Sequence, residues 1–350
     1  MYTYISIYFS LALIGLMKGS RRQNVLLLFA LFFLFVAFVG FRFETGCDYT
    51  GYFLRWSNFD VNADFWSGLN EPGFFLLTKT VKSLGLDYVW LNVICAAIFF
   101  YFAVSFSYRH PRPLLLLAIM FPLLVIQLSM SGVRQALAVA LLMGAFGAFF
   151  DGSRIKVAAY VLLASTFHQS AVIFLPLALM VGRTVSYWRM ILAMLLLMPV
   201  ALYLLSDRLD VYQARYFEET YGEMESAGAL LRLGLIIIIS LLFFNYRKRM
   251  RKYFPKEYSL MEIVALASLF LVPIAFVNTV VVHRLIYYVA PMQLFTFAAL
   301  PYAMSVHFGG RRFSELIPAG VFLLYVVVWF SLSSHARTCY VPYDSFLFYW

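Results

Sequence analysis

Long apolar runs recur throughout this 350-residue sequence and constrain its fold more than any other feature. Examples are residues 2–17, 25–41, 86–107 and 316–332. A helix of about 20 apolar residues crosses a bilayer core of about 30 Å and satisfies its own backbone hydrogen bonds in lipid. Because 63% of the residues are hydrophobic and only 13% are charged, little of the chain is suited to a soluble domain. The sequence therefore predicts an all-α, polytopic integral membrane protein with a single membrane domain over residues 1–350.

The positions of basic and acidic loops predict how the helices are oriented. Lysine and arginine cluster at residues 18–22, 109–112 and 247–252, and the positive-inside rule places these loops in the cytoplasm. The pattern predicts about twelve crossings with both termini outside. The first apolar run lacks the basic start and the cleavage site of a signal peptide, so we expect a retained helix. The +10 formal charge then faces anionic lipid, and no nucleic-acid partner is expected.

Three segments depart from the pattern of simple spans. Residues 42–85 form a predicted external loop that ends in an interfacial amphipathic helix at 74–84, because two lysines interrupt its apolar character. Residues 206–228 form a second external loop, which is acidic and rich in tyrosine. Residues 157–181 carry His168 near their centre, and we predict two short helices that meet there, since this keeps every later basic loop in the cytoplasm.

The cysteines give no clear redox signal. Cys47, Cys95 and Cys339 form neither a CxxC pair nor an even framework. A disulfide between Cys47 and Cys339 is geometrically feasible if both residues face outward. The odd count nevertheless favours free thiols, and we expect no disulfide.

Three arginines at the predicted outer boundary of the membrane indicate an anion site. Arg42, Arg134 and Arg284 each lie next to an apolar span, and Arg134 and Arg284 open helices that run inward. The partial positive charge of a helix N-terminus adds to the guanidinium there, and guanidinium forks match phosphate well. A single such arginine could simply reach lipid headgroups. Three of them together favour a phosphate-bearing ligand.

Three further residues are candidates for a catalytic base. His168 suits a general base or a substrate ligand because imidazole titrates near neutrality. A buried histidine that satisfies the backbone of a broken helix is an equal alternative. Asp48 and Glu71 could take a proton, pair with the arginines or cap a helix.

Aromatic residues in the external loops, among them Tyr49 and Tyr52, could stack on sugar rings, although interfacial aromatic belts are commoner. Gln169 fits either role proposed for its neighbour His168. The sequence contains no Walker motif, no HExxH, no Gly-rich dinucleotide loop and no metal-ligand cluster. We therefore expect neither a cofactor nor a metal.

Several short motifs occur in order from near residue 39 to the C-terminus. They are Gly40-Phe41-Arg42, Gly46-Cys47-Asp48-Tyr49, Glu71-Pro72-Gly73-Phe74, Val133-Arg134-Gln135, Phe167-His168-Gln169-Ser170 and Tyr340-Val341-Pro342-Tyr343. Together they resemble the EpsG family of Wzy-type polysaccharide polymerases. Each motif is short, and the ordered set carries the specificity.

The resemblance implies a membrane glycosyltransferase of the GT-C class on the outer face of the bacterial cytoplasmic membrane. Such enzymes transfer a growing glycan from undecaprenyl pyrophosphate to the non-reducing end of the next lipid-linked repeat. The partners that the resemblance implies are the lipid-linked donor and acceptor glycans, membrane lipids, a chain-length regulator and a flippase. No metal is required if arginines stabilise the leaving group.

Motif positions carry the implied roles to this sequence. By this resemblance, Arg42, Arg134 and Arg284 are expected to bind pyrophosphate. The base is His168, or else Asp48 or Glu71, and the glycan-contacting residues are Tyr49, Tyr52, Gln135 and Gln169.

Three alternatives share parts of this pattern. A lipid-linked glycan transporter would also place arginines and a broken helix in the membrane, but it should show an internal repeat, which is not apparent. An O-antigen ligase uses the same carrier and transfers glycan to lipid A, usually with a larger late external loop. A metal-dependent oligosaccharyl transferase would use an acidic residue of the first external loop, such as Asp48.

Overall fold

The protein is helical and multi-pass. The structure, a computed structural model, describes residues 1–17, 19–64, 68–182, 188, 227–276, 279–305 and 310–349. Most of these residues lie in helices, which confirms the all-α prediction. Within this part of the chain, seven helices are long and apolar enough to cross a membrane: Arg21–Gly40, Tyr88–Tyr108, Val133–Phe150, Gly228–Tyr253, Tyr258–Ala275, Val281–Met304 and Phe313–Leu332. The number of about twelve crossings stays a prediction. One further predicted span, 190–205, and most of the predicted loop 206–228 lie outside the described residues.

The first half of the described chain contains nine α-helices. They are α1 (Tyr2–Leu16), α2 (Arg21–Gly40), α3 (Tyr49–Ser57), α4 (Pro72–Ser83), α5 (Tyr88–Tyr108), α6 (Pro113–Met120), α7 (Val133–Phe150), α8 (Arg154–Phe167) and α9 (Leu177–Met180). A short strand, β1 (Arg42–Phe43), follows α2. A π-helix, Phe121–Ser129, continues α6, and a 3₁₀-helix, Gln169–Phe174, precedes α9.

The second half of the described chain contains five more α-helices. They are α10 (Ala227–Tyr253), α11 (Tyr258–Ala275), α12 (Thr279–Met304), α13 (Arg311–Leu332) and α14 (Ser334–Tyr340). Strand β2 (Asp344–Ser345) and a 3₁₀-helix, Phe346–Phe348, follow.

Helix boundaries follow local sequence signals. The Ser20 hydroxyl accepts from the N–H of Gln23 at 3.3 Å and the Gln23 side chain accepts from the N–H of Ser20 at 2.7 Å, so both groups at the start of α2 are satisfied. Pro72 and Pro113 occupy the first positions of α4 and α6, where a missing N–H costs nothing. Gly152 turns the chain between α7 and α8 with φ +74°, a conformation that glycine adopts readily.

Helices α7 and α12 form the centre of the bundle. In each of these two helices, 89% of the most apolar stretch is buried within the protein. The corresponding share in α2 is 28%, and its Phe29, Phe33 and Leu34 are exposed. Helix α7 packs on α5 and α8, while α12 packs on α10, α11 and α13. Residues at the ends of α7 and α12 are therefore held by the best-packed part of the molecule.

The predicted broken helix is observed. Helix α8 ends at Phe167, and His168 has an extended backbone with φ −152° and ψ 111°. The chain then continues as a 3₁₀-helix and the short α9, so the second half is less regular than the α-helix we expected.

The segment after α2 is joined to the C-terminal segment of the chain. Strands β1 and β2 pair antiparallel, with Arg42 opposite Ser345. A disulfide links Cys47 to Cys339, whose Cα atoms are 4.7 Å apart. Our expectation of free thiols was therefore wrong for this pair. The contact joins residues 292 positions apart, so no local spacing in the sequence could reveal it.

The predicted loop 42–85 is largely helical. It contains β1, α3 and α4, and α4 covers most of the predicted amphipathic segment 74–84. The ammonium of Lys82 donates to the carbonyl of Trp56 at 2.6 Å, and that of Lys79 donates to the carbonyl of Ala63 at 2.9 Å. The two lysines that interrupt the apolar pattern thus tie α4 to the end of α3 and to the segment that follows it. The interfacial position of this segment stays a prediction.

Candidate active site

Three of the predicted site residues form a continuous bonded chain. The guanidinium of Arg134 forms an ion pair with one carboxylate oxygen of Glu71. The other carboxylate oxygen lies 2.8 Å from Nδ1 of His168. Glu71 directly precedes α4, Arg134 is the second residue of α7, and His168 follows α8. The structure therefore brings together residues from three separate helix ends.

The packing of α4, α7 and α8 explains this convergence. Helices α7 and α8 form an antiparallel pair around the turn at Gly152, so the start of α7 lies beside the end of α8. Helix α4 approaches α8 closely at Gly73, where any added Cβ would collide with the side chain of Thr166. Glycine at this position allows Glu71 to reach both Arg134 and His168.

The carboxylate of Glu71 is held in its charged form. Its surface is 8% exposed, and burial alone would raise the pKa of Glu71. The hydrogen bond from His168 and the charge of Arg134 together outweigh burial, so the pKa of Glu71 lies below its ordinary value. At neutral pH, Glu71 and Arg134 therefore form a charge-balanced pair.

The bond to Glu71 fixes the tautomer of His168. An ionised carboxylate only accepts hydrogen bonds, so Nδ1 of His168 carries the hydrogen and Nε2 keeps its lone pair. The side chain is 17% exposed, and Nε2 bonds to no residue in the described part of the chain. A neutral imidazole with a fixed Nδ1–H and an accessible Nε2 can accept a proton from a bound hydroxyl group.

Tyr52 and Gln169 adjoin this chain of three residues. The Tyr52 hydroxyl accepts from Nε of Arg134 at 3.3 Å, and the Tyr52 ring centroid lies 5.7 Å from the guanidinium carbon. The Gln169 amide donates to the side-chain oxygen of Asn70 at 3.4 Å, directly beside Glu71. Tyr52 and Gln169, two of the four predicted glycan-contacting residues, thus border the site.

Arg284 and Gln135 connect the site to α12. The side-chain amide of Gln135 donates to the backbone carbonyl of Arg284 at 2.7 Å. Arg284 is also an electrostatic neighbour of His168, as Arg134 is. Two of the three predicted phosphate-binding arginines therefore lie near the candidate base.

Arg42 has a different environment. It is 1% exposed, and its guanidinium donates to the carbonyls of Val39 at 2.6 Å and Thr45 at 3.2 Å and to the side chain of Asn92 at 3.3 Å. These bonds fix the turn between α2 and α3. The geometry supports a structural role for Arg42, and its contact with pyrophosphate stays a prediction.

Asp48 and Tyr49 lie apart from the bonded chain. Asp48 is exposed, and its carboxylate bonds to no residue in the described ranges. Tyr49 is 5% exposed and packs edge-on against Tyr88 and Phe43. The packing places Tyr49 in a local apolar cluster, and its predicted glycan contact stays a prediction.

Arg232 is a residue that the sequence analysis missed. It lies near the start of α10, is 8% exposed and sits over the ring of Tyr287, 5.6 Å from the centroid. The criterion that selected Arg134, an arginine at the outer end of an apolar run, applies equally to Arg232. Tyr340, an electrostatic neighbour of Arg232, bonds to Ser131, and their hydroxyl oxygens are 2.9 Å apart.

One group of side chains in the described part of the chain has metal-ligand spacing. Ligand atoms of Cys47, His335 and Cys339 lie within 4.8 Å of one another. The two sulfur atoms are bonded to each other, which removes the thiolates that a metal would need. The expectation of a metal-free protein stays a prediction.

Comparison with known proteins gives one family. The EpsG family matches residues 25–345, a range that contains every residue of the site described above. No curated protein and no solved structure matches the chain. Because the match covers most of the sequence, the chain belongs to the EpsG family.

Proposed function

We propose that this protein is a metal-independent membrane glycosyltransferase that polymerises undecaprenyl-pyrophosphate-linked repeat units. Family membership supports a polysaccharide-polymerase type of function. The observation that carries the finer proposal is the bonded chain of Arg134, Glu71 and His168. It supplies an oriented base, which glycosyl transfer to a sugar hydroxyl needs.

His168 starts the reaction as the base. The lone pair of Nε2 takes the proton from a hydroxyl at the non-reducing end of the acceptor repeat, and the hydroxyl oxygen attacks the anomeric carbon of the donor glycan. A new carbon–oxygen bond forms as the bond between the anomeric carbon and the pyrophosphate oxygen breaks. The electron pair of that bond leaves on undecaprenyl pyrophosphate. Glu71 stabilises the imidazolium that results, because its charge faces Nδ1.

The two arginines near His168 have different tasks. Arg134 is a positioning residue, since its charge is balanced by Glu71 and its Nη1 holds one oxygen of that carboxylate, whose other oxygen faces His168. Arg284 places positive charge beside His168, where it can stabilise the negative charge that develops on the leaving pyrophosphate. With Arg134 positioning Glu71 and Arg284 stabilising the leaving group, the proposed reaction requires no metal ion.

The proposed location is the outer face of the bacterial cytoplasmic membrane, with both termini outside. The positive-inside pattern supports this orientation. The disulfide between Cys47 and Cys339 also supports it, because disulfides persist in oxidising compartments. Both cysteines lie on the side of the bundle that carries His168, as Cys47 bonds through its N–H to Ser131, just before α7. A flippase that supplies the repeats and a chain-length regulator are the proposed partners.

The test is complementation of a host in which the gene is deleted, read as surface polysaccharide on a gel. Wild type should restore a ladder, whereas His168→Ala should yield only single capped repeats. Lys156→Gln is the matched control, because Lys156 is exposed at the opposite end of α8. Loss of all surface glycan, with lipid-linked material retained inside, would indicate transport. Long polymer that stays on its lipid carrier would indicate a ligase, and an unchanged ladder would refute the proposal.

A further inference from the structure

Arg232 differs from the other buried arginines in its partners. Its Nε and Nη1 atoms are buried and make no hydrogen bond within the described part of the chain. By contrast, Arg42 donates to three protein oxygens, and Arg112 pairs with Glu315 at 3.0 Å. Buried charges in proteins are normally paired, because loss of water is costly for a lone ion. Arg232 is thus a buried cation with two donors, Nε and Nη1, that described protein groups do not use.

The surroundings of Arg232 stabilise a cation without neutralising it. The guanidinium lies over the Tyr287 ring, and the phenols of Tyr325 and Tyr340 are its further electrostatic neighbours. A ring face attracts a cation while leaving its N–H groups able to donate. Arg232 forms no ion pair with any described residue, whereas Arg134 is balanced by Glu71. The unbalanced positive charge therefore lies on the α10 side of the site.

Arg232 is connected to the candidate active site through α12. His283 has both Arg232 and Arg284 as electrostatic neighbours, and Arg284 is in turn a neighbour of His168. Tyr287 also has Asp48, in the segment between β1 and α3, among its electrostatic neighbours. Arg284 and His283 thus link the electrostatic surroundings of Arg232 to those of the base.

We infer that Arg232 binds the pyrophosphate of a lipid-linked substrate, together with Arg284, while Arg134 serves Glu71. This inference rests on the proposed function. The ligand chemistry is that of a phosphate ester on a lipid, because a phosphate oxygen can accept from the unused N–H groups and balance the charge. A polyprenyl pyrophosphate and a phospholipid headgroup both offer this chemistry, and the experiment separates them.

The test measures binding of farnesyl pyrophosphate, a short polyprenyl pyrophosphate, to the full chain in phosphatidylcholine nanodiscs. Arg232→Gln should raise the Kd at least about tenfold, since it removes a charge-assisted hydrogen bond in a buried place. Arg232→Lys keeps the cation over Tyr287 and serves as the folded variant, with a smaller rise expected. Lys156→Gln is the control, and size-exclusion profiles check that each variant is folded.

Two outcomes would overturn the inference. Unchanged affinity in folded Arg232→Lys and Arg232→Gln proteins would show that Arg232 does not contact the ligand. Competition by phosphatidylglycerol as strong as that by farnesyl pyrophosphate would identify a headgroup site instead of a carrier site.

The result can be separated from the proposed function. If His168→Ala abolishes the polysaccharide ladder while Arg232 variants bind normally, only the inference on Arg232 fails. If binding depends on Arg232 but His168→Ala leaves the ladder intact, the proposed function fails and the anion site stands.

Discussion

Two histidines at opposite ends of the bundle show how similar residues acquire different roles. His168 lies beside the start of α7, and His110 lies between α5 and α6, next to Arg109, which pairs with Asp151 at the end of α7. His110 is 2% exposed, and its Nδ1 accepts from the N–H of Arg112 at 3.0 Å. Its ring stacks on Phe254 at a centroid distance of 5.9 Å. Burial lowers the pKa of His110 to about 3, so the ring stays neutral and apolar in character.

The partner of each histidine explains the difference. A backbone N–H donates to Nδ1 of His110, which places the ring hydrogen on the buried Nε2 and leaves no accessible base. A carboxylate accepts from Nδ1 of His168, which leaves a basic Nε2 on a partly exposed ring. Each end also contains an Arg–Glu pair, and at the His168 end the carboxylate of Glu71 bonds to a histidine as well. The bond of a histidine to a carboxylate, more than its burial, distinguishes the candidate active site.

The largest expected effect comes from the histidines themselves. His168→Gln should lower the rate of polymer formation by about 10²–10⁴-fold, the usual contribution of a general base. His110→Gln at matched protein level should keep most of the rate, because α7 separates the two ends by roughly 27 Å. The measurement is the initial rate with lipid-linked repeats in isolated membranes. Equal losses in both variants would mean that the two histidines do not differ in role.

Glu71 and Glu315, which pair with Arg134 and Arg112, should also differ in their effects on activity and stability. Glu71→Gln should lower the rate by roughly 10²-fold, because an amide can present N–H to Nδ1 and favour the wrong tautomer. Glu315→Gln removes the anion beside the buried Arg112, so it should lower the free energy of unfolding by about 3–5 kcal/mol while the rate per folded molecule is kept. Thermal melts and rates on the same samples measure both effects. A purely destabilising Glu71→Gln would contradict a catalytic function for this end.

A smaller effect is expected from Arg134→Lys. Lysine keeps a charge near Glu71 but lacks the planar fork that holds the carboxylate and the Tyr52 hydroxyl together, so the rate should fall by about tenfold. Arg112→Lys, at the other end, should leave the rate per folded molecule unchanged. Full activity of Arg134→Lys would show that fork geometry is not needed to position Glu71.

Much of the fold followed from the sequence because it depends on local signals. Apolar runs predicted the long helices, and the charge pattern predicted a break at His168. Arg134, Glu71 and His168 were each named as candidates for the same reason, since ionisable residues are scarce near apolar spans. Their bonding order could not be predicted, because it depends on how α4 packs against α8 at Gly73.

The sequence could not show contacts between distant parts of the chain. Arg42 was selected as an anion ligand at the outer boundary, and its enclosure by the turn after α2 and by Asn92 of α5 is visible only in the packed molecule. The disulfide between Cys47 and Cys339 depends on the pairing of β1 with β2, two strands of two residues each that have no recognisable pattern. Burial and pairing of this kind are properties of the packed molecule.

The smallest expected effect on the rate comes from the disulfide, which only the His168 end of the bundle possesses. Changing both Cys47 and Cys339 to serine should lower the free energy of unfolding by about 2–4 kcal/mol, because the unfolded chain regains freedom. The rate per folded molecule should fall by less than about tenfold, since β1, β2 and the Tyr340–Ser131 bond still hold the segment. Cys95→Ser, at the buried free cysteine, is the control.

Labelling of thiols in intact cells completes this test. Cys47 and Cys339 should react with a membrane-impermeant maleimide only after an impermeant reductant is added, since both are proposed to lie outside and are bonded to each other. Labelling without reductant would mean that the thiols are free, and His335 would then adjoin two potential thiolate ligands. In that case no covalent link would hold the segment after α2 to the C-terminal segment, and this part of the His168 end would depend on the β1–β2 pairing and its hydrogen bonds.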